Sequence, residues 1–247
     1  GRISGWNLDA GTDPVITGNP ANGDHPAIYT GLALGNVGSD NYLYAANGLT
    51  GAIDVYGTDF GLATLAGNFV DPGPNPDGLV PFNIHNIGGH MFVTYAVAGP
   101  DPDEAELCSG FVSEFNAVGT FIRRLTTGGS LASPWGVALA PDGYGSFGGA
   151  LLVGNFNEEH GTINAFSLDD GSFLGSLTDA NGDPVIIPYL WEITFGNGAL
   201  NASPNALYFA AGIGDEEHGL FGRLSAVPEP AQWLMMVTGF GLVGLAG

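Results

Sequence analysis

Short runs in which apolar and polar positions alternate with a period of two dominate the chain, broken by clusters of Gly, Pro, Asn and Asp. Such runs, rich in β-branched and aromatic residues, predict strands joined by tight turns. They fall into a repeating order. A first run reads "YTGLALG" from Tyr29, "PFNIHNIGG" from Pro81, "PWGVALAPDG" from Pro134 and "LWEITFGNG" from Leu190. A second follows as "NYLYAANG", "MFVTYAVAG", "LLVGNFN" and "LYFAAGIG". A third alternates in "AIDVYGTD", "FVSEFNAVG" and "TINAFSLDDG", and a fourth is read in "LATLAGNFV", "FIRRLTTGG" and "FLGSLTDANG". Aligning Thr30, Phe82, Trp135 and Trp191 gives offsets of 52, 53 and 56 residues.

A fixed period of this size decides architecture before local detail does. Four antiparallel strands per repeat make one blade of a β-propeller. A sandwich gives no reason for a period, and a parallel β-helix has much shorter coils. The expectation is therefore an all-β propeller over residues 1–226. About three complete blades lie between two partial ones, because residues 1–18 match only third and fourth strands and the last repeat supplies three. Incomplete blades leave open sheet edges, which invite pairing with another chain.

The pattern stops after residue 226. "VPEP" is followed by "AQWLMMVTGFGLVGLAG", uncharged from Trp233 to Gly247. Apolar on all sides, this stretch predicts a C-terminal helix of membrane type rather than an amphipathic one. Fifteen helical residues reach roughly 22 Å, short of the roughly 30 Å hydrocarbon core. Residues 227–247 are thus a second unit with transient membrane anchoring as its expected role.

Composition sharpens this reading. Forty-two glycines and sixteen prolines suit turn-rich β structure. The 25 acidic residues face four basic ones, for a net charge of −21. That charge repels polyphosphate, so nucleic acid is excluded as a partner, and it disfavours anionic membrane surfaces. The lone Cys108 forbids an intrachain disulfide and supplies no zinc framework; its expected place is a buried small residue.

The tail resembles the PEP-CTERM sorting signal of Gram-negative bacteria. Val227, Pro228, Glu229 and Pro230 match its motif and residues 233–247 its apolar span, while the terminal Arg cluster of that signal is missing. The body resembles uncharacterised PEP-CTERM-associated β-propeller proteins. The resemblance rests on "ISGWN", "NIGGHMFVTYA", "SPWGVALAP", "LLVGNFNEEHGTINAF", "LWEITFGNG" and "NALYFAAGI" with "GLFGRL". It implies a six-bladed complete ring, processing by a membrane exosortase, and export to the cell surface or extracellular matrix. It implies no activity.

Candidate chemistry centres on a tetrapeptide, E-E-H-G, which occurs in "NFNEEHGTINAF" and again 58 residues later in "GIGDEEHGLFGRL". Both copies fall in the turn between second and third strands, so the fold repeats the turn on one rim. The corresponding turn of an earlier blade, "GPDPDEAEL", adds Asp101, Asp103, Glu104 and Glu106. Carboxylates suit calcium, which makes Glu158, Glu159, His160, Asp215, Glu216, Glu217 and His218 the candidate metal ligands. No turn matches a calcium loop: "DANGDP" places Pro184 where glycine is needed. The plainer reading is a solvated acidic rim with structural histidines. Cofactors are otherwise expected to be none.

His85 and His90 flank the turn in "HNIGGH", where a structural role is expected. Trp135 and Trp191 are expected to pack blade on blade. No nucleophile elbow, zinc-protease helix, phosphate loop or dinucleotide fingerprint occurs. The expected function is an exported, non-enzymatic binding or structural module for extracellular polysaccharide or protein. The alternative is a calcium-dependent extracellular propeller hydrolase or lyase.

Overall fold

The computed structural model describes residues 3–5, 15–18, 26–75, 77–99, 106–200 and 202–226. The sorting motif Val227–Pro230, the apolar helix expected over 233–247, and Asp101, Asp103 and Glu104 lie outside them. Among the described residues no helix is long and apolar enough to cross a membrane.

Antiparallel sheets follow one another along the chain. A hairpin pairs β1 (Ile3–Gly5) with β2 (Val15–Gly18). Next comes a three-stranded sheet of β3 (Tyr29–Val37), β4 (Asp40–Asn47) and β5 (Ala52–Tyr56). Two four-stranded sheets are β6 (Val80–Ile87), β7 (His90–Ala96), β8 (Phe111–Asn116), β9 (Phe121–Thr127) and then β10 (Pro134–Leu139), β11 (Leu151–Asn155), β12 (Ile163–Phe166), β13 (Phe173–Ser176). The last sheet has three strands, β14 (Leu190–Phe195), β15 (Ala206–Ile213) and β16 (His218–Ser225). Within each sheet the strands are hydrogen-bonded in chain order, and β3, β6, β10 and β14, the first strands of the four larger sheets, lie side by side in that order. That radial arrangement is the propeller pattern.

The expected fourth strand in "LATLAGNFV" does not form. After one bridge, Tyr56 to Leu62, the chain leaves the sheet. Gly67 N–H donates to the Val118 carbonyl at 2.8 Å, and Phe69 N–H to that of Gly119 at 2.9 Å. A Cβ on Gly67 would come within 2.4 Å of the Gly119 oxygen, so glycine permits this approach. Phe69 then packs between Tyr44 and Phe115, at ring separations of 5.6 and 5.4 Å. Burial of that ring beside the next sheet replaces a fourth rung of ladder bonds.

The core is the set of contacts between sheets. Ala33, Tyr44 and Ala46 meet Ile84, Met91 and Val93. Phe92 and Val112 meet Val137, Leu151 and Val153. Ala138, Leu152 and Ile163 meet Ile193, Leu207 and Phe209. These alternating residues put one apolar face of each strand on each neighbour.

Every innermost strand also carries a β-bulge at the same point of the repeat. The extra residue is Thr30 in β3, Phe82 in β6 and Trp191 in β14, and the register slips across Trp135 and Gly136 in β10. A bulge sets two residues against one, bends the strand and re-aims the following side chains.

Buried asparagines tie each sheet to its own connections. Asn155 accepts from the Ala132 amide at 3.1 Å and donates to the carbonyls of Ser130 and His160 at 2.9 and 3.2 Å. Asn47 occupies the matching place in the first sheet, accepting from Ile28 and Thr50 and donating to Asp54. Replacing Asn155 with Ala strands these buried partners, an expected loss of about 1–3 kcal/mol. The exposed Asn41→Ala is the control, with an expected change within about 0.5 kcal/mol; urea denaturation of both checks it.

Candidate functional site

The bulged residues converge. Phe82 packs edge-on against Trp135 at 4.7 Å between ring centres, and Trp135 against Trp191 at 4.4 Å. Phe156 closes the group at 4.4 Å from Trp191. Trp135 is buried, so this is packing between sheets, as expected from the sequence.

Just past the bulges the same strands hold a polar group. His85 Nε2 on β6 lies 3.9 Å from Glu192 Oε2 on β14. Asn83 Nδ2 is 2.9 Å from that ring nitrogen, and the Trp135 carbonyl of β10 is 3.3 Å away. Asn83 Oδ1 accepts from the Ile84 amide at 2.8 Å, which leaves its Nδ2 as the donor towards His85. That ring nitrogen accepts from Asn83 when the ring proton is on Nδ1 and donates to the Trp135 carbonyl when it is on Nε2. Three innermost strands thus meet near the axis: β6 brings the imidazole and the carboxamide, β14 the carboxyl and β10 a backbone carbonyl.

Their ionisation is displaced in opposite senses. Burial holds the His85 imidazole down at about 4, the Trp135 carbonyl opposing it. Burial pushes the Glu192 carboxyl up to about 7, the Ile193 amide opposing it. Glu192 keeps 44% of its side chain accessible, so water tempers its shift. At neutral pH the pair is an uncharged imidazole beside a carboxyl that exchanges its proton readily. Perturbed ionisation of this kind clusters at functional sites, which makes the pair a candidate site.

The sequence-predicted ligands lie elsewhere, and both E-E-H-G turns do join second to third strands. In the first, Glu158 and Glu159 are exposed and the Asn157 side chain accepts the amides of Glu159 and His160 at 3.0 and 2.7 Å. In the second, Asp215, Glu216, Glu217 and His218 are exposed, and Asp215 and Glu216 take positive φ of 52° and 61°. One sequence thus adopts two turn conformations. Tyr189 links them: its amide donates to the Asn157 carbonyl and its hydroxyl to Asp215 Oδ1, each at 3.0 Å. Among the described residues no group of three or more His, Cys, Asp or Glu is placed to hold a metal ion. In "DANGDP" the Asp179 carboxylate accepts the amides of Asn181 and Asp183, closing its own turn.

Other charged groups are structural. Glu114 is paired by His90 Nδ1 at 2.6 Å and Arg123 Nε at 2.7 Å. Asp71 is held by Arg124 at 2.7 Å, and Arg124 lies 3.9 Å over the Phe111 ring. Cys108 is exposed, contrary to expectation. It takes a positive φ of 70° in the connection before β8, where backbone geometry rather than apolar character sets its place.

No family model matches the chain. Two uncharacterized proteins of Acanthamoeba polyphaga mimivirus are 33% and 32% identical over 209 and 211 residues, each match covering 80% of this chain. It covers 48% and 51% of those proteins, so the chain spans about half the length of the curated relatives it matches. Among solved structures, the nidogen/laminin complex gives a TM-score of 0.52 at 17% identity, covering 82% of this chain and 61% of that one. An exo-β-1,3-galactanase of Phanerochaete chrysosporium also gives 0.52, at 8% identity, covering 87% of this chain and 51% of that one. The solved neighbours are β-propellers, and at these identities the likeness is one of fold alone.

The Glu192 shift sets a pH dependence. Its folded value lies above the ordinary 4.5, so its contribution is complete below 4.5 and is lost as pH rises through about 7. His85 acts the other way, contributing above 6.5 and losing stability as pH falls through about 4. Glu192→Gln removes only the first. Denaturation midpoints should show the variant more stable than the parent at pH 8 and equal to it at pH 4. The same difference at both values would contradict the burial of this carboxyl.

Proposed function

We propose that this chain is an exported binding module whose recognition point is the cluster of Asn83, His85 and Glu192 near the propeller axis. The observation that carries this reading is the convergence of three innermost strands on one polar group inside an otherwise aromatic and aliphatic interior. An uncharged imidazole and a protonatable carboxyl, 3.9 Å apart, suit a ligand hydroxyl that hydrogen-bonds both at once. The net charge of −21 disfavours polyanions. Neutral extracellular polysaccharide is the ligand class that fits both facts. Delivery to the cell surface by exosortase processing at Val227–Pro230 completes the proposal and rests on the sequence motif.

A second reading, a calcium-dependent hydrolase or lyase, keeps one supporting observation: a carboxyl near 7 is poised for acid catalysis at neutral pH. Most glycosidases add a second carboxylate at roughly 5–9.5 Å, and hydrolysis of a glycan that EDTA abolishes would favour this reading.

A neutral glycan array followed by calorimetry separates the two. Binding without turnover, weakened at least about tenfold by Glu192→Gln or His85→Gln and untouched by EDTA, is the expected outcome. An array with no hits, or variants that bind like the parent, would remove the axial cluster as the recognition point.

A further inference from the structure

The sheet of β3, β4 and β5 lies inside the chain, between other sheets, and still lacks a fourth strand. In the complete sheets β9 and β13 pair with the third strands β8 and β12. Along β5 only the start of 62–70 takes that place. It does so through the Tyr56–Leu62 bridge and the Ala63 amide, which donates to the Val55 carbonyl at 2.8 Å. Past that point the segment keeps a strand's alternation: Ala63, Leu65, Gly67 and Phe69 are partly or fully buried, and the residues between them are exposed. Ala63 and Leu65 pack on the cluster that contains Ile53 and Val55. Continuing the register of the bridge would set Leu65 beside Ile53 and Ala66 beside Ala52, so that buried positions meet buried positions.

The far end of the segment holds it off β5. Gly67 and Phe69 bond the turn that follows β8, at the end of the sheets where β5 also finishes. Pairing through Ala66 would carry Gly67 to the other end of β5, roughly 17 Å along the strand. The two placements therefore exclude each other. The docked one has visible costs. Phe69 takes a φ of 55°, a left-handed value that a bulky residue adopts only under constraint. Asp71 anchors the segment, accepting from the Ser113 hydroxyl, Arg124 Nε and the Gly73 amide at 2.5, 2.7 and 2.7 Å. Yet Arg124 Nη2 is buried with no hydrogen-bond partner among the described residues.

We propose that residues 62–70 are a two-position strap, docked on the second sheet in this structure and exchanging into the fourth-strand place along β5. Exchange gives up the burial of Phe69 and the bonds of Asp71. In return it completes ladder bonds, relaxes the Phe69 backbone and closes a sheet edge. It also withdraws the ring from between Tyr44 and Phe115, which unpins the first sheet from the second. Strand propensity and tertiary docking pull this segment in opposite directions, the condition for a bistable element. The inference concerns the outer strands and is independent of any ligand at the axis.

Amide hydrogen exchange on the intact chain, comparing the parent with Gly67→Val and Asp71→Asn, tests it. Gly67→Val drives a Cβ into the Gly119 backbone. Asp71→Asn weakens the anchor and leaves 62–70 unaltered, so it decides the question if the first variant fails to fold. In each variant the Phe69 amide should exchange at least about tenfold faster than in the parent, and the Ile53 and Leu65 amides at least about tenfold slower. That reciprocal change is the signature of exchange between two bonded positions. Faster exchange at all three amides would mean that the segment only frays, and would overturn the proposal. Exchange in Asp71→Asn that matches the parent would overturn it as well.

Discussion

The contact on which the rest depends is the edge-to-face packing of Phe82, Trp135 and Trp191 at the bulges of three successive innermost strands. The bulges of β6 and β10 turn Phe82 and Trp135 each onto a ring of the next sheet, and Trp191 packs back on Trp135 and Phe156. Aromatic pairs of this geometry contribute roughly 0.5–1.5 kcal/mol beyond the area they bury. Their larger effect is positional, because they fix how closely the innermost strands approach. In the first sheet Thr30 occupies this point, and its buried hydroxyl has no hydrogen-bond partner among the described residues. The aromatic series therefore does not extend to that sheet.

The polar group near the axis is a consequence of the same geometry. A bulge at Trp191 shifts the residue after it, and Glu192 comes to face His85 two sheets away rather than solvent alone. Asn83, one residue past the Phe82 bulge, accepts the amide of Ile84 and sets its side-chain amide against the His85 ring. Burial at this point thus favours the uncharged form of both groups.

Much of the architecture was legible in the sequence because the repeat is periodic and its turns are punctuated by Gly and Asn. The aligned positions Thr30, Phe82, Trp135 and Trp191 proved to be the bulges themselves, which explains why so varied a set marks one point of the period. The strand expected at 62–70 failed because alternation reports local propensity, while Gly67 and Phe69 respond to a neighbouring sheet. Glu192 was invisible as a site: one acidic residue in "LWEITF" reads as a solvent-facing position until the bulge is known. His85 was read only as flanking a turn, which it does, yet its ring points to a partner more than a hundred residues away. The E-E-H-G turns drew notice by repetition, and repetition there reflects the fold; exposed and separately folded, they are bridged through Tyr189.

The most direct test of sealed innermost strands is the titration of the His85 ring followed by nuclear magnetic resonance. If aromatic packing at the bulges encloses this ring, its midpoint falls near 4. A midpoint at or above the ordinary 6.5 would mean that water reaches the ring and that the strands do not close as described.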